Sequence, residues 1–364
     1  MINVKDDKEF LKKLLEAVSP SGQEAKATEI WKEFIAKTNP YALLSYSDKI
    51  GNAAYSLGDG PCKILLSGHI DQVNARVSLI HDSGLLAVHY TGGIDNRCLP
   101  GSRVIILTDE GKEVEGAVIK QPMHLDKSSS WPEDHRDMSQ LRVDVGAESK
   151  DEVLALGIHP GCLVCYKGET SVDWGANRIV SPSLDDKIAV FIISELYKAL
   201  YLEQESHGTY FPDDHWSRNY TVVFLAATQE ETGLRGATVA ARNINPDYSI
   251  DLDVDFASDD EMSGPKERIG DIKLGDGPII AYGADKSIRL NKVLKESANG
   301  KYQTTSTNCG GTNTEAIQLN SADCETAHLA IPNRSMHSQT EMCDWRDVQG
   351  SVDMIYNAII SGKI

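Results

Sequence analysis

Eight polar side chains stand at or just beyond the ends of apolar, strand-like runs, and their types suit metal-assisted hydrolysis. They are His69, Asp71, Asp185, Asp186, Glu230, Glu231, Asp253 and His337. Imidazoles and carboxylates are the donors that Zn²⁺ and Co²⁺ prefer. Two such ions about 3.5–4 Å apart can polarise a carbonyl and activate a water. In open α/β sheets, ligands bind beyond the carboxyl ends of the strands, so a shared sheet edge would bring these side chains together.

A pair of ions needs two imidazoles and three carboxylates, one of which bridges the ions. A further carboxylate must stay unligated to take a proton from the attacking water. Asp71 lies two residues beyond His69, on the same side of an extended chain, so it is placed to hold the second imidazole nitrogen. Spacing alone does not decide which of Glu230 and Glu231 is the ligand and which is the base.

Each of these residues also has a simpler explanation. A lone histidine at a strand end is more often a hydrogen-bonded surface residue than a ligand, Asp185 could cap the helix that follows it, and adjacent glutamates are common in solvated loops. The prediction of a metal centre depends on the number of these residues and on their shared chemistry.

The elements that must position these residues alternate between strands and helices. Val222 to Ala227 are all apolar, which suits a strand buried on both faces, and Cys62 to Ser67 form a similar run. A helical pattern follows Asp185-Asp186, and Asp344 is placed to cap a last amphipathic helix. Ser21 and Glu24 have the spacing of a capping box before another helix. This alternation predicts an α/β sheet domain.

Residues 77–169 have a different texture, with short β-like runs separated by turn residues. We therefore predict an all-β insertion over 77–169 that acts as a lid or an oligomer interface. It interrupts a catalytic domain formed by residues 1–76 and 170–364. Two polar stretches, 124–140 and 203–219, are predicted loops.

The composition excludes several classes of partner. A net charge of −18 argues against binding to nucleic acid or to anionic membranes, and no stretch has the length of a membrane span. The N-terminus lacks the pattern of a secretory signal. Seven scattered cysteines suit a reducing compartment, so we expect a cytoplasmic protein. Cys162 and Cys165 form a CxxC within an apolar run, which favours core cysteines over a redox or metal site.

Five motifs occur in an order that resembles a known family. They are GHIDQ at 68–72, SLDDK at 183–187, QEETGLRGA at 229–237, DVDFASD at 253–259 and MHSQTEM at 336–342. Together they resemble the dinuclear metallo-aminopeptidases of the glutamyl aminopeptidase, or tetrahedral (TET) aminopeptidase, type. The resemblance covers most of the chain, including the inserted segment.

The resemblance implies a role for each site residue. It makes Asp185 the bridging ligand and Glu230 the general base. It implies a cis peptide bond between Asp185 and Asp186. Asp71 and Asp186 would support the ligands without binding the ions themselves. The implied ligands of two divalent ions, Zn²⁺ or Co²⁺, are His69, Asp185, Glu231, Asp253 and His337. The implied fold is a zinc-exopeptidase-like α/β domain with an inserted barrel-like β domain. The implied assembly is a homo-oligomer, commonly a hollow dodecamer.

Four positions depart from the family pattern. The family usually has Glu at Gln72, a Gly near Asn74, Arg at Lys187 and Tyr at Ser335. The 203–219 loop is also longer than the family suggests. None of these departures removes an implied ligand or the base, but they lie around the site or on the surface, where they bear on substrate preference and assembly.

The function that these observations predict is a metal-dependent aminopeptidase acting on peptides with a free N-terminus. A related dinuclear hydrolase, such as a carboxypeptidase or an N-deacylase, would use the same metal chemistry on a different end of its substrate. A non-catalytic scaffold is the remaining alternative. The presence of every implied ligand and of the base argues against it.

Overall fold

The computed structural model describes residues 2–94, 97–122, 124–125, 138–208, 212, 215–262, 265–306 and 311–364. Its main sheet has eight strands: β1 (Leu44–Ser47), β2 (Ala53–Leu57), β3 (Cys62–His69), β12 (Tyr220–Ala227), β13 (Tyr248–Phe256), β14 (Ile279–Tyr282), β15 (Gln303–Ser306) and β16 (Glu325–Asn333). The strand order is β1-β2-β12-β3-β13-β16-β14-β15. The four neighbours β12, β3, β13 and β16 are mutually parallel, so their carboxyl ends lie at one edge.

Helices cover this sheet, in addition to a 3₁₀ turn at Val4–Asp7. They are α1 (Lys8–Glu16), α2 (Ala25–Thr38), α4 (Leu184–Ser206), α5 (Trp216–Asn219), α6 (Arg235–Ile244), α7 (Lys266–Ile269), α8 (Ile288–Ser297), α9 (Asn313–Asn320) and α10 (Trp345–Ile360). The core is built from the apolar faces of these elements. The side chains of α4 from Leu184 to Tyr197 are all buried, because this helix runs between the sheet and the other helices.

In the sequence, a segment that forms a closed six-stranded barrel is inserted between β3 and α4. Its strands are β4 (Asn74–Ile80), β5 (Leu86–Thr91), β6 (Arg103–Leu107), β7 (Glu113–Ile119), β8 (Arg142–Asp144) and β9 (Leu163–Tyr166), with α3 (Lys150–Ala155) near its end. The barrel has a hydrophobic core of its own that includes Cys162, and Cys165 is buried in β9. The predicted fold class, an α/β domain with an inserted barrel, is confirmed. The barrel begins at Asn74, before the predicted boundary at residue 77, and we propose Asn74 as the start of the insertion.

A third sheet of three strands follows the barrel. It consists of β10 (Ser171–Trp174), β11 (Arg178–Ser181) and β17 (Glu341–Asp344), and each pair is antiparallel. This sheet connects the start of α4 to the start of α10, and Asp344 caps α10 through the backbone N–H of Arg346, as predicted.

The predicted polar loop at 203–219 is wrong at both ends. Helix α4 continues through Ser206, and Trp216–Asn219 form α5, because Trp216 is buried and the helix starts at a capping residue, His215. The predicted loop at 124–140 lies largely outside the described residues. Within the described part of the chain, every helix is too short or too polar to cross a bilayer.

Candidate metal centre

The first group of potential ligands surrounds His69 at the end of β3. Its Nε2 lies 3.0 Å from Oδ1 of Asp185 and 3.8 Å from Oδ1 of Asp253. Its Nδ1 faces Asp71, at 3.1 Å from the backbone oxygen and 3.4 Å from Oδ1 of the carboxylate. With the Nδ1 proton donated to Asp71, Nε2 keeps its lone pair directed at Asp185 and Asp253, as a metal ligand requires.

The second group surrounds His337, in the turn after β16. Its Nε2 lies 3.2 Å from Oδ2 of Asp185 and 3.5 Å from Oε2 of Glu231. Its Nδ1 lies 3.0 Å from the backbone oxygen of Gly93, which accepts the proton of that nitrogen. Both histidines are therefore oriented in the same way, with one nitrogen bound to the protein and the other directed at carboxylates.

Asp185 belongs to both groups. The ligand atoms of His69, Asp185 and Asp253 lie within 4.8 Å of one another, and so do those of Asp185, Glu231 and His337. One oxygen of Asp185 faces each histidine. The structure thus brings together the five residues named from the sequence, in two triads joined by one carboxylate.

Glu230 lies beside these triads but belongs to neither. Its Oε2 is 3.7 Å from Nε2 of His69, and only 8% of the residue is exposed. The neighbouring Glu231 directs its carboxylate at His337 instead. The structure therefore separates the two glutamates, which spacing alone left equivalent.

Asp71 forms more hydrogen bonds within the site than the sequence indicated. Its Oδ1 accepts the backbone N–H of Glu230 at 3.0 Å, and its Oδ2 accepts that of Glu231 at 3.2 Å. Oδ2 also accepts the hydroxyl of Ser21 at 2.6 Å. One buried carboxylate thus fixes the backbone of both glutamates while it faces the imidazole of His69.

Asp186 and Glu341 also position the proposed ligands, because their carboxylates accept hydrogen bonds from the backbone of those residues. The peptide bond between Asp185 and Asp186 is cis, and Oδ2 of Asp186 accepts the backbone N–H of His69 at 3.1 Å. The two oxygens of Glu341 accept the backbone N–H groups of Asp185 at 2.9 Å and His337 at 2.8 Å. Sequence analysis did not single out Glu341, although it lies in the MHSQTEM motif, because its spacing from His337 is not that of a ligand.

The predicted capping box at Ser21 and Glu24 is wrong. Ser21 binds Asp71, and Glu24 makes no side-chain bond to the first turn of α2. Oε1 of Glu24 instead accepts the backbone N–H of Gly22 at 2.7 Å and of Gln229 at 3.2 Å. Gln229 has a φ of 55°, in the left-handed region, so Glu24 helps to hold a strained residue beside Glu230.

The inserted barrel contributes to the site through the turn after β5. In addition to the bond from His337, a β-carbon added to Gly93 would lie 2.4 Å from Nδ1 of His337. A β-carbon added to Gly92, which has a φ of 82°, would lie 3.2 Å from the backbone oxygen of Glu231. The approach of the barrel to the site thus requires glycine at Gly93, a role that the sequence pattern did not indicate.

Two of the four residues that depart from the family pattern, Gln72 and Lys187, are hydrogen-bonded to each other. Nζ of Lys187 lies 3.0 Å from Oε1 of Gln72, and it also donates to the backbone oxygen of Ala17 and the hydroxyl of Ser183. Lys187 is fully buried, and burial lowers its pKa to about 7. At these two positions, where the resemblance implies Glu and Arg, this chain has an amide and an amine that satisfy each other without a carboxylate.

The electrostatics of the site favour bound cations. Burial raises the pKa of Glu230, Glu231 and Asp253 well above the usual range. Burial also raises the pKa of Asp185, but hydrogen bonds to His337 and His69 outweigh it and lower that pKa below its usual value. These carboxylates crowd one another in a low-dielectric environment, so the site lacks positive charge.

The residues present fit a pair of divalent transition-metal ions. Each triad offers one imidazole and two carboxylates, which are ligands of the type that Zn²⁺ and Co²⁺ take. Oε1 of Glu231 is buried and has no hydrogen-bond partner among the described residues, so a donor atom remains available.

A cavity of about 290 Å³ opens beside the two triads. Apart from the metal-site residues, its lining is mixed in charge and includes Asp255, Phe256, Lys286, His328 and Met336. Gly311 and Thr312 also line it, at the start of the turn that leads into α9. The site is therefore open to a small substrate group and has both apolar and charged surfaces to contact it.

Comparison with known proteins gives a consistent result across the chain. The family model described as M42 glutamyl aminopeptidase matches residues 51–354. A lysyl aminopeptidase of Pyrococcus furiosus is 30% identical over 362 residues, which cover 96% of this chain and 95% of that protein.

Solved structures resemble the whole fold. A TET aminopeptidase from a marine sediment Thaumarchaeota archaeon has 28% identity and a TM-score of 0.83, and the match covers 98% of this chain and 97% of that one. The TET1 peptidase of Pyrococcus horikoshii has 28% identity and a TM-score of 0.79, over 97% and 98% of the two chains. The latter is described as assembling into a tetrahedron or a large octahedral shell.

Proposed function

This chain belongs to the M42 glutamyl aminopeptidase family, and from that premise we propose that it is a metal-dependent aminopeptidase that removes residues from the N-terminus of peptides. The observation that carries the proposal is the pair of triads joined by Asp185. A single metal ion would not require one carboxylate to face two separately oriented imidazoles. Family membership supports peptide hydrolysis, and the geometry supports a dinuclear centre for it.

In this proposal His69 and Asp253 would hold one ion, His337 and Glu231 would hold the other, and Asp185, which directs one oxygen at each histidine, would serve both. The ions are two divalent cations per chain, Zn²⁺ or Co²⁺. When bound, they supply Lewis acidity, which polarises the scissile carbonyl and makes water acidic enough to lose a proton near neutral pH. Asp71, Asp186 and Glu341 keep the ligands in place through the hydrogen bonds described above.

Glu230 is the general base. It is buried beside the triads, its carboxylate is left outside both of them, and Asp71 fixes its backbone. It accepts the proton of the attacking water and then passes that proton to the nitrogen of the leaving amine.

The free amine of the substrate distinguishes an aminopeptidase from its relatives. Outside the proposed ligands, the cavity lining offers the carboxylates of Glu230 and Asp255 to an N-terminal ammonium group, beside the amine of Lys286. Membership of the M42 glutamyl aminopeptidase family favours an aminopeptidase over a carboxypeptidase or an N-deacylase. The side chain of the first residue would occupy the cavity beside Phe256 and Met336.

The test is hydrolysis of a panel of aminoacyl-p-nitroanilides and of their N-acetylated counterparts, with wild type and Glu230→Gln loaded with Zn²⁺ or Co²⁺. We expect cleavage of the free-amine substrates only, and a loss of at least about 100-fold in kcat in Glu230→Gln. The metal content of the variant should stay at two catalytic ions per chain. Glu205→Gln, at an exposed position on α4, is the matched control and should retain full activity.

Two outcomes would contradict the proposal. Preferential cleavage of the acetylated substrates would indicate an N-deacylase. An absence of turnover in protein that binds no metal would exclude an enzymatic function for this chain. The same panel, varied in its first residue, would identify the preferred N-terminal side chain.

We further propose that the chain forms a homo-oligomer, a dodecamer, in the cytoplasm. The assembly described for the Pyrococcus horikoshii relative supports the oligomer. The scattered cysteines support a reducing compartment, and within the described residues no disulfide joins them. Mass photometry of the purified protein should give a particle about twelve times the 39.8 kDa of the chain. A monomer mass would contradict this part of the proposal.

A further inference from the structure

A second cluster of potential metal ligands lies away from the catalytic residues. Glu203 and His207 are one turn apart at the end of α4, and His215 immediately precedes α5. One ligand atom from each of these three residues lies within 4.8 Å of the others. This is the region that the sequence predicted to be a loop longer than the family requires.

The contacts in this cluster are close to those of a metal site. Oε1 of Glu203 is 3.2 Å from Nε2 of His215 and 3.4 Å from Nδ1 of His207, and the two imidazole rings have centroids 4.8 Å apart. A tetrahedral ion with bonds of about 2.0–2.2 Å holds its ligand atoms roughly 3.3–3.6 Å apart. The ligand atoms of His207 and His215 lie within 4.8 Å of each other, so the exposed His207 must move to bring all three atoms into that range. Its Nδ1 also lies 3.1 Å from the backbone oxygen of Glu203, a contact that ligation through this nitrogen would replace.

Neighbouring groups orient two of the three side chains. Nε1 of Trp216 donates to Oε2 of Glu203 at 2.6 Å, which directs Oε1 at the histidines. Nδ1 of His215 accepts the backbone N–H of Ser217 at 3.3 Å and lies 2.8 Å from the hydroxyl of the same residue. To bind an ion through Nε2, the ring must take the other tautomer, in which Nδ1 donates to that hydroxyl, so Trp216 supports Glu203 and the Ser217 hydroxyl supports His215.

This cluster is separate from the catalytic centre. Helix α4 carries Asp185 in its first turn and Glu203 in its last, and at 1.5 Å per residue these positions are about 27 Å apart. Glu203 and His215 are mostly buried, with 20% and 5% of their side chains exposed, whereas the side chain of His207 is 35% exposed. An ion could therefore enter from solvent without passing through the core.

We propose that Glu203, His207 and His215 bind one divalent transition-metal ion of the Zn²⁺ type in a structural site. Two imidazoles and one carboxylate form a donor set that such ions favour, with water completing the coordination. The ion fastens the end of α4 to the start of α5. Its effect is on the stability of this region, and it takes no part in hydrolysis.

The test compares wild type with His207→Ala after both are stripped of metal and titrated with Zn²⁺ by calorimetry, with the bound ions counted by elemental analysis. We expect His207→Ala to bind one ion fewer per chain and to lose part of the Zn²⁺-dependent rise in melting temperature, while peptide hydrolysis stays at the wild-type level. Alanine at this half-exposed position leaves the core unchanged. Glu203→Gln, which keeps an acceptor for Trp216, should weaken the same binding step at least tenfold.

The matched control is His159→Ala, which removes another solvent-accessible histidine that faces a carboxylate, here Asp109 on the barrel. It should bind as many ions as the wild type. Equal numbers of ions in wild type and His207→Ala would overturn the proposal and leave the cluster as a set of hydrogen bonds and ion pairs. Because the readout is the difference in ions bound, it is independent of whether the catalytic site acts as proposed.

Discussion

At the scale of single residues, the site depends on a few buried acceptors that each hold several groups. Asp71 accepts two backbone N–H groups and one hydroxyl while it faces His69. Glu341 accepts the backbone N–H groups of Asp185 and His337. These two carboxylates hold proposed ligands that come from four separate segments of the chain.

The substitution Asp71→Asn tests this arrangement. An amide replaces one acceptor oxygen by a donor, which must then face a backbone N–H of Glu230 or Glu231 or the imidazole of His69. We expect metal affinity to fall by about 10–100-fold, as for other residues that support ligands, with a parallel fall in activity at limiting metal. Calorimetric titration with Zn²⁺ would measure the affinity.

The control for this variant is Ser21→Ala, which removes one of the bonds to Asp71 and leaves the carboxylate in place. It should change the affinity by much less than Asp71→Asn. An unchanged affinity in Asp71→Asn would show that the ligands do not depend on this carboxylate for their positions.

Residue types at strand ends were enough to predict which side chains converge. All eight residues named from the sequence lie in or beside the site, because the parallel strands β3, β12, β13 and β16 end at the same edge. Glu341 and Gly93 were missed for a physical reason. Gly93 contributes a backbone carbonyl from the inserted barrel, and the carboxylate of Glu341 joins the backbone of nearby His337 to that of the distant Asp185. Neither residue type nor local spacing records these contacts.

At the scale of elements, the turn after β5 couples the inserted barrel to the catalytic domain. The oxygen of Gly93 accepts the Nδ1 proton of His337, and there is no space for a β-carbon at this position. The barrel is therefore a structural part of the proposed metal centre, in addition to its predicted role as a lid or an interface.

Gly93→Ala should displace the ring of His337. The added methyl group would lie 2.4 Å from Nδ1, which is too close for any side chain, so the imidazole or the turn must move. We expect metal affinity to fall about tenfold or more, with little change in the melting temperature of the metal-free protein. Binding of Zn²⁺ followed by calorimetry, together with a thermal melt, would separate the two effects.

Gly300→Ala is a suitable comparison, since a β-carbon there meets no atom within 4 Å. It should bind metal as the wild type does. If Gly93→Ala also binds metal normally, the contact with Gly93 does not orient His337.

Strongly patterned elements were predictable and the connections between them were not. The apolar run Val222–Ala227 lies within β12 in the main sheet, because an uninterrupted apolar strand must be covered on both faces. The three-stranded sheet of β10, β11 and β17 escaped prediction, since its strands are short and two of them are distant in sequence from the third. Ser21 and Glu24 matched a local capping pattern, but tertiary contacts with Asp71 and Gln229 took its place.

At the scale of the whole molecule, a buried carboxyl group outside the site links stability to pH. Glu195 lies on α4 and is fully buried against the N-terminal turn that carries Asp7. Burial, and then the charge of Asp7, raise its pKa to about 8, with Lys198 opposing this shift and Asp6 adding to it. The folded chain therefore holds this proton more tightly than the unfolded chain does.

The sign of the effect follows from linkage. The contribution of Glu195 to stability is fully present below its ordinary pKa of 4.5 and is lost as the pH rises through about 8. Glu195→Gln removes this dependence, because the amide does not ionise. We expect the variant to lie within about 1 kcal/mol of the wild type at pH 5 and to exceed it by about 4 kcal/mol at pH 9. Denaturant unfolding at both pH values would measure the difference.

Glu205→Gln, at an exposed position on the same helix, should leave the pH profile unchanged. If the profiles of wild type and Glu195→Gln stay parallel from pH 5 to pH 9, Glu195 does not control the pH dependence of folding.

The contact between Gly93 and His337 has a consequence for the modularity of this chain. The inserted barrel closes on itself and has its own core, which would normally make it a unit that could be exchanged or excised. All five proposed ligands lie outside it, so a shortened chain would still contain every ligand. It would lack the carbonyl that keeps one imidazole in its tautomer. Grafting a barrel from a relative should therefore succeed only when the donor brings its own glycine turn in the same register.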